Sequence, residues 1–150
     1  MKAIIICILF GFSLSYNING AVSYALKHCG RYNPNYNFYK YKEPKAESVN
    51  FVSQCIGEGG GQDFSGCKGR DDKGMFKDPF DLANCLVSKG WTKTRTFTRG
   101  SPIMVVNSFL AFVTSYSSDG LYICSHAWDR CEAKYTNVYY VEYIYAPPSS

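Results

Sequence analysis

Only two histidines occur in the 150 residues, His28 and His126. Acid–base chemistry that needs an imidazole is therefore confined to two positions. There is no Cys-x-x-Cys pair, which removes the commonest spacing for zinc ligation and for dithiol redox work. There is no Asn-x-Ser/Thr sequon, so N-glycosylation is not expected. Charge is sparse: 16 Lys and Arg stand against 12 Asp and Glu, a formal net charge of +4. The cations are scattered, and so small an excess argues against a nucleic-acid partner. Asp71-Asp72 does not have the spacing of an EF-hand loop. Neither a metal nor a cofactor is implied. No apolar run reaches the roughly 20 residues that cross a bilayer as a helix.

The one long apolar run, residues 3–12, follows Met1-Lys2 and precedes Ser13-Leu14-Ser15. A basic start, a short apolar stretch and small residues at the end make residues 1–15 a secretory signal peptide, with cleavage expected after Ser15. Residues 16–150 then form one domain. It is expected to be secreted, monomeric and free of the membrane, since the tail Ala146-Pro147-Pro148-Ser149-Ser150 carries no lipid-anchor signal. Seven cysteines fall to six once Cys7 leaves. An even count in an oxidising compartment predicts disulfides and no free thiol. Cys124–Cys131 is the expected bridge, because the six residues between them suit a hairpin corner. A metal site built from His28-Cys29 and Cys124-Ser125-His126 is the competing use of the same residues, and the compartment disfavours it.

The chain divides in two by periodicity. Residues 19–31 carry an apolar stripe of Ala21, Val22, Ala25 and Leu26, with Asn19 as cap and Gly30 as stop. Residues 31–45 form a Tyr/Asn loop with few aliphatic side chains. Its rings either fold over the domain or make an aromatic wall for a sugar or peptide ligand. Residues 46–61 predict a short buried helix. Glu47 and Ser48 sit at its first turn, Val49, Val52 and Ile56 recur at helical spacing, and Gly57 with the 59–61 glycines ends it. Residues 62–77 read as a solvated loop. Asp78 caps a third helix, Pro79 opens it and Gly90 closes it. From Thr92 the period becomes two. Strands are expected at 92–97, 103–106, 109–116, 121–125 and 135–145, with a hairpin turn at Ser117-Ser118-Asp119-Gly120. Helices first and an antiparallel sheet afterwards is an α+β layout.

The segment Asn50-Phe51-Val52-Ser53-Gln54, followed by Gly59-Gly60, resembles the signature of the putative amidase domain family, a branch of the papain-like NlpC/P60 and CHAP hydrolases. That resemblance implies a papain-like fold, with N-terminal helices packed on an antiparallel sheet. It implies a nucleophilic Cys at the start of the second helix, a His on the first long strand and amide bonds as substrate. Here Ser48 occupies the nucleophile position, and the run 109–114 places Phe109 at the base. A serine hydroxyl depends on a neighbouring base more than a thiol does, and phenylalanine cannot take a proton. The resemblance therefore points to a catalytically silent protein that keeps a groove for peptide or muramyl-peptide ligands. Asn50, Gln54 and Asp129 are the candidate binding residues, Asp129 because His126-Ala127-Trp128-Asp129 resembles a His-Thr-x-Asp stretch of the family.

Two alternatives stay open. In one, the chain is a divergent amidase using Ser48 with His126 as base. Pairing strands 109–116 and 121–127 across a two-residue turn at Ser118-Asp119 would set Tyr116 opposite Leu121 and Ala111 opposite His126, and would point His126 to the side of Phe109. In the other, the chain is a disulfide-stapled effector with a protein target.

Overall fold

Asn17 starts the first helix, two residues earlier than Asn19 would. Its side chain accepts from the Gly20 amide at 2.9 Å, and α1 runs Ile18–His28. The computed structural model describes residues 15–149, so the expected signal peptide lies outside the described residues except for Ser15. The second helix, α2 (Pro44–Gln54), also starts before its sequence signals suggest. Pro44 has its φ preset and lacks the amide that a first turn leaves unpaired, so it opens the helix without a side-chain cap. A wider turn, Cys55–Gly59, extends α2. Its glycines are needed for close packing. A Cβ on Gly59 would stand 2.5 Å from the Tyr24 Cβ of α1, closer than real Cβ atoms approach. The third helix, α3 (Pro79–Ser88), is capped by Asp78, which accepts from the Phe80 and Asp81 amides.

Six antiparallel strands follow: β1 (Thr92–Thr94), β2 (Pro102–Val105), β3 (Phe109–Ser117), β4 (Gly120–Ser125), β5 (Arg130–Lys134) and β6 (Val141–Ala146). Their order in the sheet is β1-β6-β2-β3-β4-β5. The hairpin turn forms where expected, with Ser117 opposite Gly120. The expected long strand at 135–145 is corrected. Only 141–146 is extended, after a helical turn at Val138–Tyr140. β5 is a strand that periodicity does not reveal, because it is a largely exposed edge with no apolar alternation.

Alternation along β2 and β3 divides the apolar residues between two faces. Met104, Leu110, Phe112 and Cys124 join Phe51, Val52, Ile56 and Leu82 in the core between helices and sheet. Ile103, Val105, Ala111, Val113 and Ile123 form a second cluster on the other face, which has no helix residue in it. The molecule is α+β, with its helices on one side of an antiparallel sheet.

The cysteine expectation is also corrected. The disulfides are Cys29–Cys131 and Cys67–Cys85, while Cys55 and Cys124 are free and buried. Cys124 lies on the helix side of β4 in the main core, and Cys131 is tied to the end of α1. Proximity in the chain could not show that the two face different partners. Burial pushes the Cys55 thiol well above the ordinary range and raises Cys124 too, so both behave as small apolar side chains.

Candidate active site

Because α2 opens at Pro44, Ser48 sits in its second turn rather than at its positive end. Its side chain is fully buried. The hydroxyl donates to the Lys45 carbonyl at 2.7 Å and accepts from the Leu110 amide at 3.1 Å. Ser48 thus pins α2 to the start of β3 with both of its hydrogen-bonding functions in use.

Phe109 is not beside it. β3 alternates, and Leu110 and Phe112 face the helices while Phe109 joins the cluster on the other side of the sheet. There it packs near Trp128, with ring centroids 5.6 Å apart. An alignment of letters does not carry this parity, and one residue of offset moves a strand side chain across the sheet.

His126 does come to the helix side. Tyr116 stands opposite Leu121 as expected, but the ladder shifts between Val113 and Ser115, and Phe112 then pairs with Cys124. Continuing that register sets His126 level with Leu110 instead of Ala111. The inserted residue is in β3, at Thr114, while β4 alternates unbroken, so the bulge moves Phe109 and Ala111 to the face opposite the one His126 points to. Its ring is buried and stacks on Phe51 at 3.8 Å, with Tyr32 edge-on at 4.7 Å. Nε2 lies 2.8 Å from the His28 carbonyl. A carbonyl only accepts, so Nε2 must carry a hydrogen. Nδ1 lies 2.6 Å from the Glu47 carboxyl, and Glu47 also accepts from the Tyr39 amide at 2.7 Å. Neither ring nitrogen has a free lone pair for a serine proton.

Asn50 and Gln54 are buried in a polar ladder inside the domain. Gln54 donates to Asn50 at 2.7 Å and accepts from the Tyr24 hydroxyl at 2.8 Å; that hydroxyl accepts from Asn33. Asn50 donates in turn to Asp71 at 3.0 Å. Asp71 also accepts from Asn37, Tyr39 and the Lys73 and Met75 amides. Burial alone would raise its pKa, but these hydrogen bonds, led by the Met75 amide, hold its carboxyl below the ordinary range. Burial, together with the bond to Asp71, pushes Tyr39 up to about 12. No local signal marks Asp71 as the hub, since its partners come from three separate segments. Asp129 stays largely exposed and pairs with Lys40 of the aromatic loop.

That loop lies over His126. Tyr32 touches both His126 and Phe38, and Phe38 packs against Tyr41. The outer rings remain open to solvent: Phe38 is 42% and Tyr41 87% exposed. Metal donors are in use elsewhere, with Cys29 in a disulfide and His126 held by Glu47. Among the described residues no group of three His, Cys, Asp or Glu side chains could hold a metal ion. No described helix is long and apolar enough to cross a membrane.

No curated protein and no solved structure matches this chain. A family profile described as a putative amidase domain matches residues 15–129, from the first helix through the stretch that holds His126. The match takes in Ser48, Glu47 and the Asn50–Gln54 ladder, and it covers well over half of the sequence: the chain belongs to the putative amidase domain family.

Proposed function

We propose that this protein is a secreted, catalytically silent member of the papain-like, NlpC/P60-related branch of its family. It binds peptide ligands, wall-derived muramyl peptides among them, without cutting them. The observation that carries this is the use of Ser48 and His126 as internal fasteners. The serine holds the Leu110 amide, and both imidazole nitrogens face fixed partners. Acyl transfer needs a nucleophile whose proton a nearby base can take, and neither group is available. The helix-on-sheet contact of α2 with β3 supports the papain-like reading. The two disulfides support an oxidising compartment. The exposed rings of Tyr32, Phe38 and Tyr41 supply contact area at low entropic cost for a ligand lying over the closed site.

Two measurements on the mature chain test this. Incubation with muropeptides, followed by mass spectrometry, is expected to show no amide cleavage. Co-sedimentation with insoluble peptidoglycan is expected and should fall several-fold in Phe38→Ala with Tyr41→Ala. Cleavage that disappears in His126→Ala overturns the silent reading, and absence of co-sedimentation overturns the ligand.

A further inference from the structure

On the sheet face away from the helices lies a cleft of about 480 Å³, within the roughly 300–1,000 Å³ of small-ligand sites. Its floor is apolar, with Val105 and Ile123 from the second cluster. Its walls are rings: Phe109 and Trp128 pack together, and Tyr135 and Tyr140 belong to the segment between β5 and β6. Trp128 is 39% and Tyr140 58% exposed. Arg130 also lines the cleft. It is exposed and takes part in no ion pair among the described residues. Asp129, the carboxylate next to it in the chain, pairs with Lys40. Amides line the cleft as well, from Asn107 and Asn137. Asn107, which lines it, has left-handed backbone at φ 67°, and Ser108 at 62°, Asp129 at 48° and Glu132 at 47° are each next in the chain to a lining residue. Such conformations persist where the surrounding structure enforces them.

We infer that this cleft is a second binding site, for a carboxylate-bearing saccharide. Ring faces cover the apolar C–H faces of a pyranose, amides meet hydroxyls, and a free guanidinium meets a carboxylate in a bidentate pair. The two aliphatic floor residues and the absence of an anionic lining side chain favour this over a cationic ligand. The site is independent of the peptide-binding reading, because it lies across the sheet from Ser48 and His126.

The probe is glucuronosyl-β-1,4-glucose, with cellobiose as its neutral counterpart. Trp91 is 3% exposed, so a fluorescence change on titration reports Trp128, and calorimetry gives the affinity independently. Saturable binding of the acidic disaccharide is expected. Cellobiose, or the Arg130→Gln variant, should bind about tenfold more weakly, the loss typical of one charge-assisted hydrogen bond. Tyr140→Ala should weaken both sugars, and circular dichroism of the variants should be unchanged. Absence of saturable binding overturns the site. Equal affinity for the two sugars overturns the anionic ligand, and no effect of Arg130→Gln overturns Arg130 as its partner, since Lys134 lines the cleft as well.

Discussion

At the scale of single residues, the chemistry is decided by hydrogen-bond occupancy. Ser48 lies where the family resemblance puts a nucleophile, yet its hydroxyl closes the α2–β3 junction. Replacing it with alanine leaves the buried Leu110 amide unpaired, and a loss of about 1–3 kcal/mol is expected in denaturant unfolding. Restoring the family residues by letter should fail. Ser48→Cys with Phe109→His places the new imidazole on the opposite face of the sheet from the thiol. The double variant is therefore expected to remain inert on muropeptides, even where it folds. Rates above those of Ser48→Cys alone would show that the two positions communicate and that this face assignment is wrong.

At the scale of elements, α2 is the hub. Four of its buried polar side chains answer to different neighbours: Ser48 to β3, Glu47 to His126 and the aromatic loop, Asn50 to Asp71, and Ser53 to the Phe76 amide. Phe51 is fully buried and stacked on His126. Phe51→Ala should cost about 3–5 kcal/mol in the unfolding free energy, and a loss in the range of surface substitutions would displace α2 from the centre of the core. Asp71 gives this element a pH signature. Its carboxyl is held below its ordinary value in the folded state, so on acidification the unfolded chain binds the proton first. The stabilisation is fully present above about pH 4, the ordinary aspartate value, and is lost as pH falls through the lower native one. Thermal unfolding should thus show a steeper fall in Tm below pH 4 for the natural chain than for Asp71→Asn. The variant should start lower at neutral pH and lose less. Parallel slopes would remove Asp71 from the account.

At the scale of the whole molecule, the two disulfides do different work. Cys29–Cys131 closes a separation of 102 residues and ties α1 to the edge strand, while Cys67–Cys85 spans 18 and fastens the Asp71 loop to α3. Chain entropy assigns about 4.7 kcal/mol to a loop near 100 residues and about 3 to one near 15. Replacing Cys29 and Cys131 by serine should destabilise more than replacing Cys67 and Cys85, by roughly 1–2 kcal/mol. Mass mapping of the folded protein should find two thiols, Cys55 and Cys124, that resist alkylation until the chain is unfolded.

The division between the two halves of the chain was legible from period alone: apolar spacing for the helices, alternation for β3 and β4, and turn residues at Ser118 and Asp119. The family was legible as a resemblance carried by Asn50–Gln54 and is shown by the match over residues 15–129; the period and the cap at Asp78 were legible directly. These are local properties, set by neighbours a few residues away. The side of the sheet that each candidate residue faces was settled elsewhere. Unbroken alternation along β4 turns His126 toward the helices, and one bulge in β3 between Val113 and Ser115 sets Phe109 on the other face. The partners of Glu47, Asn50 and Asp71 come from segments far apart in the chain, as does the cysteine that joins Cys29. A side-chain period of two makes one inserted residue enough to exchange the faces of a strand. The residue types and their order were therefore determined by the sequence, and whether they meet was determined by tertiary register.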